Sequence, residues 1–407
     1  MKPIDFVHSW GKILRGKIPL LSIEITRECP LSCPGCYAYG DQHLGDGKRL
    51  NDLTDLRGDD LVEAILNAVA RHDPEQTSLV GGEPLMRHRE LSRILPELSR
   101  RGKYTMVVTS AVIPIPKEWT ALPRITVTVS IDGLAKDHDV RRKPATYERI
   151  LKNIVGTRVN VHTTVVRQHM QEPGYIDEFL GFWSARPEVN RIWMSVYTPQ
   201  RGEQTPEMLT PIDRLSLADQ LPALSRKYPK LLVPDGMARA FITPPANPNE
   251  CIFSRMSVNY TADFKTLVEP CIFGGDPDCG QCGCSISAGL HWVGGLTAVG
   301  PLKVRHLVNG SMSVGAVVNR VLPHKAKIPR WTRGTFEPEP DEVVKQEELV
   351  KIETNHFTAA AVANNHVGAT PLAAQQHSET GLETSVVGAS KQEQVLCQEQ
   401  CIPKSTT

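Results

Sequence analysis

Three cysteines stand close together in the run Glu24-Ile25-Thr26-Arg27-Glu28-Cys29-Pro30-Leu31-Ser32-Cys33-Pro34-Gly35-Cys36-Tyr37. Spaced i, i+4 and i+7 in a loop, their thiolates can converge on one point. Iron–sulfur clusters are held by thiolates, and a four-iron cube with only three local cysteines keeps one iron open. The competing chemistry is half of a zinc site, but zinc pairs usually enclose two residues and need a fourth local ligand. After the cysteine-free stretch 37–250 come Cys251, Cys271, Cys279, Cys282 and Cys284, and Cys397 and Cys401 lie near the end. In a chain expected to be cytoplasmic, such grouping points to metal or redox chemistry rather than disulfides.

Other segments belong with the triplet. Val80-Gly81-Gly82-Glu83-Pro84 ends a second apolar run, Val107-Val108-Thr109-Ser110 a third. Val129-Ser130-Ile131-Asp132-Gly133 is followed by His138-Asp139-Val140-Arg141-Arg142. On these residues the stretch 18–200 resembles the radical S-adenosylmethionine (SAM) superfamily, whose signature is CxxxCxxC after the first strand. The resemblance implies a [4Fe–4S] cluster on Cys29, Cys33 and Cys36 whose open iron is chelated by SAM. An electron from that cluster breaks the sulfonium bond, and the resulting 5′-deoxyadenosyl radical abstracts hydrogen from a substrate. It further implies that Gly81, Gly82 and Glu83 receive the SAM ammonium: glycine permits close backbone approach, and a carboxylate accepts charge-assisted hydrogen bonds. Ser110 is a candidate ribose contact, Ser130 a ribose or carboxylate contact, and Arg142 a bidentate partner of the carboxylate. Gly35 stands where the family often carries an aromatic residue, and Tyr37 takes over part of that place near adenine. The plainer alternatives are a solvated cation at Arg142 and a core tyrosine at Tyr37.

The C-x₁₉-C spacing of Cys251 and Cys271, with the C-x₂-C pair Cys279 and Cys282, resembles a Twitch-type auxiliary domain, a shortened relative of SPASM. It implies a second [4Fe–4S] cluster on those four cysteines, with Cys284 left over. A structural Cys₄ zinc site remains open on the same spacings.

The elements that must position these residues follow from hydrophobic pattern. Strands are expected at Leu20–Thr26, Thr77–Val80, Tyr104–Thr109, Ile125–Ile131, Asn160–Val166 and Ile192–Tyr197, all rich in Val, Ile and Thr. Between them, 58–71, 88–100, 147–156 and 174–184 carry helical periodicity. The alternation implies βαβ units, hence a partial (β/α)6 barrel of α/β class whose site lies at the strand C-terminal ends. Substrate is therefore expected to meet Tyr197-Thr198-Pro199-Gln200-Arg201, after strand six. Asp263–Cys271 is expected to be strand-like.

Four parts are expected: an N-terminal helical segment (1–17, with the helix at Phe6–Leu14), the radical SAM core (18–215), the Twitch-like auxiliary domain (216–335) and a disordered tail (336–407). The tail is rich in Glu, Gln, Ser, Thr and Ala with almost no aromatics, so it cannot offset its ordering entropy. Net charge is +1, giving no electrostatic footprint for nucleic acid. The weakly apolar run 286–304 is too broken to span a bilayer, and a cytoplasmic, soluble enzyme is expected. Its reaction class is C–H functionalisation of a small molecule or biosynthetic intermediate, with a ribosomally made peptide as the alternative. A reducing donor such as flavodoxin or ferredoxin is implied. The reading of a different class is a non-catalytic binding protein stabilised by zinc or an iron–sulfur cluster.

Overall fold

The computed structural model describes residues 10–321 except 41–42, 46 and 145. Residues 10–14 are helical. Phe6–Ser9, the expected tail and Cys397 and Cys401 lie outside the described residues.

The six Val/Ile/Thr-rich runs are strands: β1 (Leu20–Glu24), β2 (Gln76–Val80), β3 (Tyr104–Thr109), β4 (Ile125–Ser130), β5 (Val159–Val165) and β6 (Val189–Val196). They pair in parallel and in sequence order. Helices α1 (Gly58–His72) and α2 (His88–Arg100) follow β1 and β2. α3 (Ala135–Arg141) and α4 (Tyr147–Asn153) follow β4, while α5 (Arg167–Gln171) and α6 (Tyr175–Ala185) follow β5. Between β3 and β4 there is only a 3₁₀ turn, Lys117–Ala121.

Side chains alternate across each strand. One set (Leu21, Ile23, Leu79, Val107, Val127, Val161) joins Ile65, Leu95 and Trp183 of the helices in one buried core. The opposite set is polar: Ser22, Glu24, Thr128, Ser130, Asn160 and Ser195 are buried on the inner face. The Val/Ile/Thr-rich strands are thus apolar on one face only. The helix face carries the hydrophobic effect, and the inner face, the lumen side of a partial barrel, is polar.

The chain beyond β6 returns to the same sheet. It forms α7 (Pro211–Lys227) and α8 (Ile252–Met256), then β7 (Ser257–Tyr260), which pairs in parallel with β1. Within the segment expected as the Twitch-like auxiliary domain, residues 257–260 thus supply the seventh strand at the edge of β1. Asp263–Cys271 is not a strand. Asp263 accepts hydrogen bonds from the backbone of Lys265 and Thr266 (both 2.8 Å), turning the chain after Thr261. Only a single antiparallel bridge, Tyr260 to Leu267, continues the hairpin. After α9 (Ser285–Gly295), a small hairpin, β8 (Thr297–Val299) with β9 (Leu302–Lys303), leads into α10 (Val304–Val321). Among the described residues no helix is long and apolar enough to cross a membrane.

At the other edge, β6 is covered by the second cysteine segment. Val196 N donates to Gly283 O (2.9 Å) and Ser285 N to Ser195 Oγ (3.2 Å). The residues after β6, expected to meet substrate, are bound to the same segment. Thr198 Oγ accepts from Gly283 N (2.9 Å), Gln200 Oε1 from Asp276 N (2.8 Å), and Pro199 O from Asp278 N (2.9 Å).

Helix α7 starts at a capping box, with Thr210 and Asp213 satisfying each other's backbone and Pro211 at the first position. Its buried Arg214 donates to Phe241 O (2.9 Å), Gln281 O (2.5 Å), Cys282 O (3.4 Å) and Tyr197 O (3.4 Å). It pins helix, strand end and cysteine segment together. Arg214→Leu is expected to cost about 3 kcal/mol, because buried carbonyls lose a charged donor. In urea denaturation the exposed control Arg226→Leu should stay within about 0.5 kcal/mol of wild type.

Candidate functional site

The first cysteine loop leaves β1 and is held on all sides by backbone and buried charge. Ile25 N bonds to Val80 O (2.8 Å), Gly82 N to Thr26 O (2.7 Å) and Glu83 N to Glu28 O (2.7 Å). A Cβ on Gly81, whose φ is +132°, would lie 2.6 Å from Thr26 O; one on Gly82 would collide with Glu28 O and lie 2.6 Å from the Tyr39 hydroxyl. The glycines are therefore required by close approach to the chain entering the cysteines. Below them Arg87, 4 % exposed, bridges Glu28 (2.9 Å) and Asp55 (2.8 Å). Asp55 in turn accepts from Thr26 Oγ1 (2.5 Å) and Arg27 N (3.0 Å). Ser32 N bonds to Lys143 O (2.7 Å), and Cys36 N to Cys33 O (3.3 Å) closes the turn.

Cys29, Cys33 and Cys36 are part-exposed free thiols. Burial first, and then the charge of Glu83 and of the other two thiols, pushes Cys29 up to about 12. Cys33 and Cys36 are also raised, chiefly by burial, while Arg142 pulls both back. Among the described residues no three His, Cys, Asp or Glu side chains are arranged to hold a single metal ion, but the three thiols lie near enough for Cys33 and Cys36 to act on Cys29, and a cluster takes one thiolate at each of several irons. Soft thiolates without an imidazole or carboxylate partner fit iron–sulfur chemistry.

The other expected residues lie around this loop. Glu83, at the end of β2, is 1 % exposed. Its carboxylate accepts from Leu85 N (3.0 Å), Thr109 Oγ1 (2.5 Å), Ser110 N (2.8 Å) and the Ser110 hydroxyl. Those four donors fill its acceptor sites, so Glu83 and Ser110 bind each other and tie β2 to β3. Ser130 sits on the inner face of β4 opposite His162 of β5. Arg142 donates through Nε to Asp132 (2.9 Å). Asp132 is also held by Arg141 Nη1 (2.7 Å), and although burial opposes its charge, these two guanidinium groups keep its carboxyl well below the ordinary range. The terminal nitrogens of Arg142 have no partner among the described residues, and their charge reaches Cys33 and Cys36. Tyr37 lies in a recess open on one side, 42 % exposed, with its ring edge-on to His43 (5.6 Å) and Phe273 (5.7 Å). Burial, then Glu24, Cys36 and Cys271, hold its phenol above the ordinary range. Tyr37 thus stands between the two cysteine groups.

Cys251, Cys271, Cys279, Cys282 and Cys284 line a single cavity with Phe253, Phe273 and Thr198. Cys251 caps α8, accepting from Ser254 N (3.5 Å), and lies 3.3 Å from Ser287 Oγ. Burial and neighbouring thiols push Cys271 up to about 12 and Cys279 to about 11. Cys284, expected to be left over, is in the same cavity, and its thiol is raised by burial and then by Cys282. Five thiols converge here, a donor set that also fits an iron–sulfur cluster. Sequence reasoning missed Asp55, Arg87, Asp132, Glu24 and His43 as site-building residues. They are single polar residues at strand ends, turns and loops and carry no spacing signal.

Comparison with known proteins finds likeness over a little more than a third of the chain by sequence profile. The sequence profile of the Radical SAM superfamily matches residues 23–167. The chain is similar to 7-carboxy-7-deazaguanine synthase of Hyperthermus butylicus, 28 % identical over 102 residues, covering 25 % of this chain and 39 % of that protein. The match thus spans well under half the length of that relative. Among solved structures, native anSMEcpe with bound AdoMet is 16 % identical with a TM-score of 0.47, covering 63 % of this chain and 74 % of that one. Streptococcus suis SuiB bound to precursor peptide SuiA is 15 % identical with a TM-score of 0.48, covering 81 % and 78 %.

Two outcomes follow from this geometry. Gly82→Ala is expected to destabilise by about 1–3 kcal/mol, since its methyl meets backbone rather than a yielding side chain; the shift in urea midpoint checks it. The second concerns His138, His162 and His169, each lowered to about 4, first by burial. Between their ordinary value near 6.5 and about 4 the unfolded chain binds more protons than the folded one, so stability falls as pH falls through that window. His138 accepts from Asp132 N at Nδ1 (3.1 Å) and must stay neutral there. His138→Gln should flatten the slope of unfolding free energy between pH 6.5 and 4; an unchanged slope would show that His138 does not contribute.

Proposed function

From the radical SAM domain at residues 23–167, we propose that this chain is an enzyme that reductively cleaves SAM and functionalises a C–H bond of a small molecule or biosynthetic intermediate. In this reading Cys29, Cys33 and Cys36 hold the SAM-binding [4Fe–4S] cluster. Cys251, Cys271, Cys279 and Cys282 hold a second one in the Twitch-like region. The observation that supports the reading is that Cys29, Cys33 and Cys36 lie within electrostatic reach of one another, with Glu83 acting on Cys29 and Arg142 on Cys33 and Cys36. When bound, the first cluster supplies the electron that breaks the sulfonium bond of SAM to give a 5′-deoxyadenosyl radical.

The chain's own residues bind and orient. Arg142, fixed by Asp132, offers its two terminal nitrogens to the SAM carboxylate, a geometry suited to bidentate pairing. With the Glu83 side chain saturated, the SAM ammonium is left to the carbonyls of the Gly81-Gly82 turn, and Glu83 fixes the ends of β2 and β3 around it. Ser130, whose hydroxyl makes no hydrogen bond among the described residues, faces the lumen where a ribose would lie. Tyr37 supplies a flat, accessible ring beside the cysteine loop. The likeness to a 7-carboxy-7-deazaguanine synthase supports the small-molecule reading. The four-thiolate site, once saturated, leaves no iron open and serves structure or electron transfer.

The Cys29/Cys33/Cys36 triple alanine variant should form no 5′-deoxyadenosine under dithionite, whereas reconstituted wild type does. Continued formation would sink the reading. Metal analysis after anaerobic reconstitution should give about eight irons for wild type and about four for the triple variant, by the cluster stoichiometry. One zinc retained in both, with iron falling from about four to none, would replace the second cluster by a structural zinc site.

A further inference from the structure

At the C-terminal end of β1, Glu24 faces the lumen, 4 % exposed. Its Oε1 lies 2.7 Å from His43 Nε2, and Oε2 is buried without a hydrogen-bond partner among the described residues. His43, 1 % exposed, has its Nδ1 3.1 Å from Phe273 O. A carbonyl only accepts, so Nδ1 must carry a hydrogen. The Nε2–Oε1 contact then holds one proton, and the pair is neutral as a whole whichever partner carries it. A buried carboxylate oxygen with no donor carries a large desolvation cost unless something meets it.

A second acceptor lies on the neighbouring strand. Asn259 of β7 pairs in register with Ser22 of β1, so it shares the inner face with Glu24. Its Nδ2 donates to Val268 O (3.3 Å), which fixes the amide's orientation, and its Oδ1 is buried and unpartnered. Two neighbouring strands thus carry unpartnered oxygen acceptors on the same inner face. The site lies at the cysteine-loop end of β1, since the charge of Glu24 acts on Tyr37 and Tyr39.

We propose that Glu24, oriented by His43, and Asn259 form the polar anchor of the substrate site, taking a substrate that presents N–H or O–H donors and rejecting a carboxylate or phosphate end. This rests on the reading that the lumen receives a substrate. His43 is a positioning residue: with Nδ1 held by Phe273 O, it fixes which Glu24 oxygen faces inward.

The geometry also separates two variants. In Glu24→Gln the amide nitrogen donates to His43 Nε2, and the remaining oxygen still faces the lumen as an acceptor. In Glu24→Leu no acceptor remains at that position. The test uses the full chain, metal-loaded as purified, with benzamide and benzoate as shape-matched probes in ligand-observed saturation-transfer NMR. Wild type should bind benzamide about fivefold more tightly than benzoate, the worth of one net hydrogen bond. Glu24→Gln should keep that preference, and Glu24→Leu should lose it. Equal binding of the two probes by wild type, binding of neither, loss of the preference in folded Glu24→Gln, or its survival in folded Glu24→Leu would overturn the proposal. If Glu24→Leu does not fold, the wild-type preference and the Glu24→Gln result decide. Because the readout is probe binding, a chain that keeps the preference yet cleaves no SAM would refute the proposed function and leave this anchor standing.

Discussion

The cysteine loop is in place because the turn after β2 is fastened to the chain leaving β1. Three backbone hydrogen bonds cross between residues 25–28 and 80–83, and they form only because Gly81 and Gly82 have no Cβ to intrude. Beneath this contact Arg87 and Asp55 bind the same strand exit through buried charge. A lone buried guanidinium would be costly, but one shared between two carboxylates is largely compensated. Every other feature of the site depends on this junction. It positions Cys29 and brings Glu83 within electrostatic reach of it.

The lumen itself follows from strand alternation working on an unusual sequence pattern. Serine, threonine and asparagine occupy inner positions where a filled barrel would carry branched apolar residues. The hydrophobic core lies between sheet and helices, where Trp119, Phe179 and Trp183 are fully buried. A polar interior cannot close by packing on itself. The open edges of the sheet are instead finished by the chain after β6: β7 joins β1 on one side, and the Gly283–Ser285 stretch bonds to β6 on the other. The second cysteine group therefore lies within the wall of the barrel, and Phe273 and Tyr37 meet between the two groups.

Much of this was legible in the sequence. Six strands fell where Val, Ile and Thr cluster, because parallel strands bury their helix-facing side and β-branched residues suit that surface. The cysteine triplet and the Gly-Gly-Glu turn could be read because their chemistry depends on residue type at short, fixed spacing, which one strand–loop unit supplies by itself. What only the tertiary structure decided depends on contacts between distant residues. Asp263–Cys271 looked like a strand by composition, yet Asp263 turns the chain by capturing nearby amides. Glu83 could be read from the Gly-Gly-Glu turn, but that Thr109 and Ser110, at the end of the next strand, donate to it could not. Cys284 looked surplus, yet the fold brings it to the same cavity as the other four. The pairing of Glu24 with His43 across the mouth of β1 had no local signal at all. Local spacing fixes which groups an individual loop can gather, whereas the saturation of a buried polar group is settled only when separate strands are brought side by side.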